Sequence, residues 1–249
     1  LESPVDELPR ADVVLADVAP RELARISLGR LPERYDRALR RYRHGPGAFK
    51  LDWALRAPIP WLAEGAARAG TVHLGGTFAE IAESERAAWA GRSAARPFVI
   101  VAQHGRFDSS RGQTAWAYCH VPNGSAEDMT EAIEAQLERF APGFGQLVLA
   151  RHAIAPSTFE EHNRNLVGGD LANGAMGLGR LLFRPTRRLV PYRVPLRGVY
   201  LCSAATPPGA GVHGLCGYLA AHLALHDLGM RREPRAWIRA ATAGGRPRA

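Results

Sequence analysis

The chain has 249 residues, 32 basic against 24 acidic side chains, a formal charge of +8 and an isoelectric point near 10.1. At 46% apolar and 22% charged it has the composition of an ordinary soluble globular protein, which excludes disorder over its bulk. No apolar run reaches the roughly 18 residues of a membrane span, and Leu1-Glu2-Ser3-Pro4 lacks the basic-then-apolar pattern of a secretory signal.

Residues 11–16 (Ala-Asp-Val-Val-Leu-Ala) read as a short strand buried on both faces. Pro20 then opens a helix through about Ile26, and Leu31-Pro32 a second, polar one through about Arg41. From Gly47 the period becomes two: Phe49, Leu51, Trp53 and Leu55 alternate with Lys50, Asp52 and Ala54 up to Pro58 and Pro60, predicting a half-buried strand. Thr71–Leu74 is a further strand. Thr77 with Glu80 forms a capping-box pattern before a helix carrying Phe78, Ile81, Ala82 and Trp89. Residues 97–103 and 114–120 read as a hairpin with a polar ten-residue loop. Ser125 and Asp128 precede a helix with the stripe Met129, Ile133, Leu137, Phe140, stopped by Pro142-Gly143, and residues 146–154 form one more strand. The Gly-rich stretch 168–179 reads as an ordered loop, and no repeat of 20 to 50 residues occurs.

Charge and cysteine usage narrow the classes further. Six arginines against Glu233 in residues 231–249 supply +5 of the +8, so the body is mildly basic and the tail is expected to be flexible or to lie on an acidic surface such as lipid headgroups. Arg37, Arg40, Arg41 and Arg43 beside Tyr35 and Tyr42 come nearest to a nucleic-acid pattern, but read as a solvated helix face, so no nucleic-acid partner is expected. Three cysteines, Cys119, Cys202 and Cys216, suit a reducing, cytoplasmic setting with peripheral membrane contact at most. The absence of Met at position 1 carries the expectation that the chain begins partway through something longer.

The chemistry concentrates near the C-terminus. Residues 198–202 form an apolar strand leading through Ser203, Thr206 and Pro207 into Gly209-Ala210-Gly211-Val212-His213-Gly214. A helix follows, with Val212, Leu215, Cys216, Leu219, Ala220 and Leu223 on one side. This is G-x-G-x-x-G between strand and helix, where close backbone approach and unpaired amides attract an electron-rich group. The second strand and acidic residue of a dinucleotide fold would fall in the Arg-rich tail, so the loop is not the first turn of such a fold. A Gly-rich turn capping a buried helix is the plain alternative.

Residues 201–218 resemble the C-terminal flavin-binding segment of phytoene dehydrogenase-like FAD-dependent oxidoreductases, relatives of the carotenoid desaturases within the amine-oxidase fold group. Residues 47–55, 71–77 and 163–170 agree in order, and the resemblance runs from about Ala11 to Leu228. It implies an α+β / α/β chain: a substrate domain with a mixed, largely antiparallel sheet, plus the C-terminal remnant of a Rossmann-like FAD-binding domain. The implied division is residues 1–30 as partial FAD domain, 31–190 as substrate domain, 191–230 as FAD-binding segment and 231–249 as tail. The family's N-terminal ADP-binding fingerprint is missing, which makes that half of the same protein the expected partner.

By the same resemblance, Ser203, Thr206, Pro207, Gly209, Gly211, Val212, His213 and Gly214 would face FAD. Hydride would pass to it from a hydrophobic substrate, with C–C desaturation as the reaction. The alternative is a non-catalytic binding or scaffold module, membrane-associated through its tail. Phe49, Trp53 and Trp116 are candidate pocket aromatics that serve equally as sheet core. His213 would orient flavin or substrate, or bond loop backbone. His222 and His226 have metal-compatible i, i+4 spacing without a third ligand, so no metal is expected. Cys119 and Cys202, in apolar strands, read as small hydrophobes, and no G-x-S-x-G elbow supports a hydrolase.

Overall fold

The computed structural model describes residues 11–230 except 109, 111, 176 and 178–182, so the Arg-rich tail lies outside the described residues. The chain divides into two compact units, residues 41–180 and residues 1–40 with 181–249.

The first unit is built on a five-stranded antiparallel sheet. Its strands are β2 (Gly47–Leu55), β3 (Thr71–Leu74), β4 (Val99–Ala102), β5 (Thr114–Val121) and β6 (Val148–Ile154), in the order β3-β4-β5-β2-β6. The expected alternation of β2 is realised: Phe49, Leu51, Trp53 and Leu55 are buried, and Lys50, Asp52 and Ala54 are half-buried. Antiparallel pairing sets Phe49 opposite Cys119 and Trp53 opposite Ala115, so the apolar sets of β2 and β5 share a face. The helix α5 (Thr130–Phe140) belongs to that core through its predicted stripe, with Met129, Ile133 and Leu137 buried and Phe140 partly so. Asp128 accepts the Thr130 amide at 2.8 Å at its start.

The described residues of this unit also form the α-helices α3 (Glu64–Arg68), α4 (Phe78–Trp89) and α6 (Pro156–His162). The capping box of α4 forms, with Thr77 and Glu80 bonding reciprocally. Hydrogen bonding by Arg139 of α5, joined by the Thr77 amide, holds the Glu80 carboxyl down at about 2. The apolar stripe read for α4 needs correction. Phe78 is 85% and Trp89 49% exposed, while Ser84, Ala87 and Ala88 are buried, because small residues allow the closer approach. Neither α3 nor α6 has a sequence counterpart above: five and seven residues display no clear helical period. The signal that was there for α6 is Pro156 at its start, as Pro20 stands at the start of the seven-residue α1 (Pro20–Ile26).

The Gly-rich stretch after α6 is tied down by one carboxylate. Asp170 is 1% exposed and accepts the amides of Gly45 at 2.8 Å, Gly174 at 2.7 Å and Ala172 at 2.8 Å, with His44 Nδ1 at 3.4 Å. Asn123 secures the same region by donating to the Gly45 and Val167 carbonyls, both at 2.9 Å. Burial pushes the Asp170 carboxyl up, but His44 and the three amides outweigh it and bring it below its ordinary value.

The second unit holds β1 (Val14–Ala16), α1 (Pro20–Ile26), α2 (Glu33–Arg40), β7 (Val199–Leu201) and α7 (Leu215–Asp227). β1 pairs with β7 in parallel, Leu15 opposite Tyr200. The strand expected over residues 11–16 as buried on both faces is three residues long, with Leu15 42% exposed. Leu23, Leu31, Leu39, Val199 and Leu201 belong to one buried cluster of this unit, and Tyr200 belongs to another with Ala220 and Ala224 of α7. Asp227 near the end of α7 accepts from Arg193 Nε at 2.8 Å and from the Tyr200 hydroxyl at 2.9 Å, holding the helix to β7. The described residues thus combine helices with an antiparallel sheet and a parallel pair, an arrangement compatible with α+β.

Removing the Asp170 charge leaves three buried amides without an ionic acceptor. Asp170→Asn is expected to lower unfolding free energy by about 2–4 kcal/mol in urea titrations. Because the native carboxyl titrates below its unfolded value, this stabilisation is present at neutral pH. The gap between wild type and variant should therefore narrow as pH falls below about 4.

Candidate functional site

The loop between β7 and α7 has two unlike halves. In the first, Ser203 is 2% and Thr206 0% exposed. The Thr206 amide and hydroxyl both donate to the Ser203 carbonyl, at 2.9 and 2.8 Å. Cys216, in the first turn of α7, sends its thiol toward the Thr206 and Gly209 carbonyls at 3.4 and 3.5 Å. The Tyr192 hydroxyl donates to the Pro207 carbonyl at 3.0 Å. A polar stretch buried this way is satisfied by its own backbone and is held in one shape.

The second half stands open. Residues 210–214 are exposed, and the Val212 side chain is fully in solvent. Gly209 has φ +105°, a conformation that side chains rarely adopt. His213 folds back over Gly211, where a Cβ would lie 2.6 Å from the ring. Its Nδ1 accepts the Leu215 amide at 3.0 Å, which leaves the ring proton on Nε2. His213 therefore makes the backbone bond considered above and still presents an N–H donor beside the helix start. At that start the remaining first-turn amides and the helix dipole favour negative charge.

The helix face beside this loop is apolar and uncovered. Leu215 is 43%, Tyr218 40% and Leu219 38% exposed, whereas Cys216, Ala220 and Ala224 are buried. The sequence reading placed Val212, Leu215 and Leu219 on the buried side with Cys216 and Ala220. The structure divides this set: Cys216 and Ala220 pack inward with Ala224, and Val212, Leu215 and Leu219 remain exposed. Leu223, which the sequence put on the same side, is partly buried against the cluster of Ala220 and Ala224.

The eight loop positions named from the sequence all fall within residues 203–214 and divide by exposure. Ser203, Thr206, Pro207 and Gly209 shape the buried base, while Gly211, Val212, His213 and Gly214 form the accessible rim. The three candidate pocket aromatics do not come together. Phe49 and Trp53 are each 2% exposed and belong to the core cluster that includes Ile133 and Leu137 of α5, Trp53 Nε1 donating to Glu134 at 2.9 Å. Trp116 lies opposite Asp52, on the other face of the sheet, because β-strand side chains alternate. There it stacks with Tyr118 at 6.2 Å, with the Lys50 ammonium 5.8 Å from its ring and paired with Asp52.

His120 on that second face meets Glu85 of α4 at 2.8 Å. The period of two along β5 was the signal for Tyr118, since every second residue from Trp116 shares its face.

His222 packs its ring on Tyr218 at 4.4 Å, and His226 contacts Asp227 at 3.3 Å. Among the described residues no group of three ligating side chains converges on a metal position. Nor is any helix among them long and apolar enough to cross a membrane.

No protein-family model matches the chain. It is 42% identical over 107 residues to the mouse protein named pyridine nucleotide-disulfide oxidoreductase domain-containing protein 2, and 40% identical over the same length to the rat protein of that name. The matched stretch covers 43% of this chain and 18% of each relative, which are more than twice as long as this chain.

All three cysteines are free. Burial pushes the Cys119 thiol up to about 12 and the Cys202 thiol up to about 11, so neither is a nucleophile near neutral pH. Iodoacetamide at pH 8 should leave Cys119 of the native chain unmodified and label it in denaturant, as read by peptide mass spectrometry.

Proposed function

We propose that this chain is the C-terminal portion of an FAD-dependent oxidoreductase. The observation that carries the reading is the loop at 203–214, a rigid buried base with an exposed Gly-rich rim at a helix start, in a chain similar to oxidoreductase-domain proteins. The names of both relatives support an oxidoreductase-related role.

The residues present fit a flavin. A Cβ at Gly211 would push into the His213 ring, Gly209 holds a backbone shape reserved for glycine, and the exposed Leu215, Tyr218 and Leu219 offer an apolar bed for a flat ring. FAD, when bound, supplies the hydride acceptor. The amides at the start of α7 would stabilise negative charge that develops on a bound ring, and His213 Nε2 would donate to an acceptor at its edge. The fixed base from Ser203 to Gly209 keeps those donors in place before anything binds.

The finer reading is hydride abstraction from a hydrophobic substrate with C–C desaturation. It rests on the resemblance of residues 201–218 and 47–77. In this reading the chain works with a segment that supplies the ADP-binding fingerprint.

Flavin absorbance of the purified whole gene product tests the proposal. Bound or bindable FAD supports it, and a product that neither carries nor binds FAD overturns it. In that product Gly211→Ala should displace His213 and weaken FAD binding by about 10-fold while the far-UV spectrum stays unchanged.

A further inference from the structure

A cavity lies within the smaller unit, outside the loop at 203–214. It has a volume of about 690 Å³, within the usual range for a small-molecule site, and shares no lining residue with residues 203–214. Its walls come from α2 and from residues 185–188, with Pro195. Three guanidinium groups border it, Arg34, Arg187 and Arg188. The arginines around them are already paired: Arg37 with Glu33, Arg40 with Asp36, Arg25 with Glu22 and Arg193 with Asp227. Among the described residues no carboxylate pairs with Arg34, Arg187 or Arg188. The acids of α2 are spent on its other arginines, which leaves an excess of positive charge at the cavity mouth.

The interior carries an unmet polar group. Thr186 is 8% exposed and lines the cavity, and its hydroxyl, shielded from solvent, has no hydrogen-bond partner in the protein. A buried hydroxyl without a partner costs free energy, so such a group in a cavity marks where a ligand atom would bond. Arg188 is held in position by its bond to the Arg193 carbonyl at 3.0 Å and by the Tyr35 ring, 5.5 Å from its guanidinium carbon. Tyr35, Ala38 and the prolines make the remaining wall apolar. An inorganic ion alone would leave that wall uncovered.

We propose that this cavity binds an organic anion with an apolar body, a carboxylate or a phosphate monoester. The headgroup bonds the three arginines and the Thr186 hydroxyl, and the chain covers Tyr35 and the prolines. The site is independent of the flavin reading and works whether or not the loop at 203–214 holds a cofactor.

Isothermal titration of the full chain with dodecanoate, dodecyl phosphate, dodecanol and inorganic phosphate tests it. One equivalent of dodecanoate or dodecyl phosphate should bind, and the tighter of the two identifies the headgroup. Dodecanol and inorganic phosphate should bind at least ~10-fold more weakly, each lacking half of the recognised structure. Arg34→Gln and Arg187→Gln, both at exposed positions, should each weaken the anion by about 5- to 10-fold, and Thr186→Val should weaken it by a few-fold. Dodecanol binding as tightly as dodecanoate, unaltered titrations in both arginine variants, or no saturable binding of either anion would overturn the proposal. The arginine variants decide the matter if Thr186→Val fails to fold.

Discussion

The pleat of β2 is the constraint on which the larger unit depends. This nine-residue strand pairs with β5 on one side and β6 on the other, so its alternation is imposed on both neighbours. Phe49, Leu51, Trp53 and Leu55 go beneath α5, each contributing on the order of 1.5–3 kcal/mol through burial. Lys50 and Asp52 go to the opposite face with Trp116 and Tyr118. A shift of one residue would exchange the two sets, burying an ion pair and exposing the core, which no compensating contact could offset. Assignment of an aromatic to core or to surface therefore follows from parity along the strand. Trp53 and Trp116 are chemically alike and structurally opposite.

A different device shapes the C-terminal loop. Its first half is polar and buried, yet its polar groups are met within the loop by the Ser203 and Thr206 carbonyls and by Cys216. Its second half offers exposed amides and apolar side chains. Rigidity and openness are thus separated along a dozen residues, as a binding loop on a firm base requires. Asp170 does similar work in the other unit, gathering the amides of Ala172 and Gly174 from its own turn and that of the distant Gly45 around one carboxylate.

Legibility in the sequence varied with the length and amphipathicity of each element. β2 and α5 are long enough to display their periods, and Phe49, Leu51, Trp53, Leu55, Met129, Ile133 and Leu137 are buried as their spacing predicts. β5 was read as an apolar strand without its alternation, which places Trp116 away from that core. The helices α3 and α6 display no clear helical period. In α4 and α7 the apolar residues misled, because packing there selects alanine, serine and cysteine for close approach and leaves Phe78, Trp89, Leu215 and Tyr218 in solvent. The cavity bordered by Arg34, Arg187 and Arg188 could not be read at all: its walls are about 150 residues apart in the chain.

The sequence by itself determined the strand periods, the capping box at Thr77 and the strand–loop–helix at 199–227, since each rests on neighbours within a few residues. Tertiary structure alone decided which face of the sheet holds Trp116, which side of α7 is buried, and which arginines keep no carboxylate. Those outcomes depend on pairing register and on contacts between distant segments, and local pattern carries no information about either.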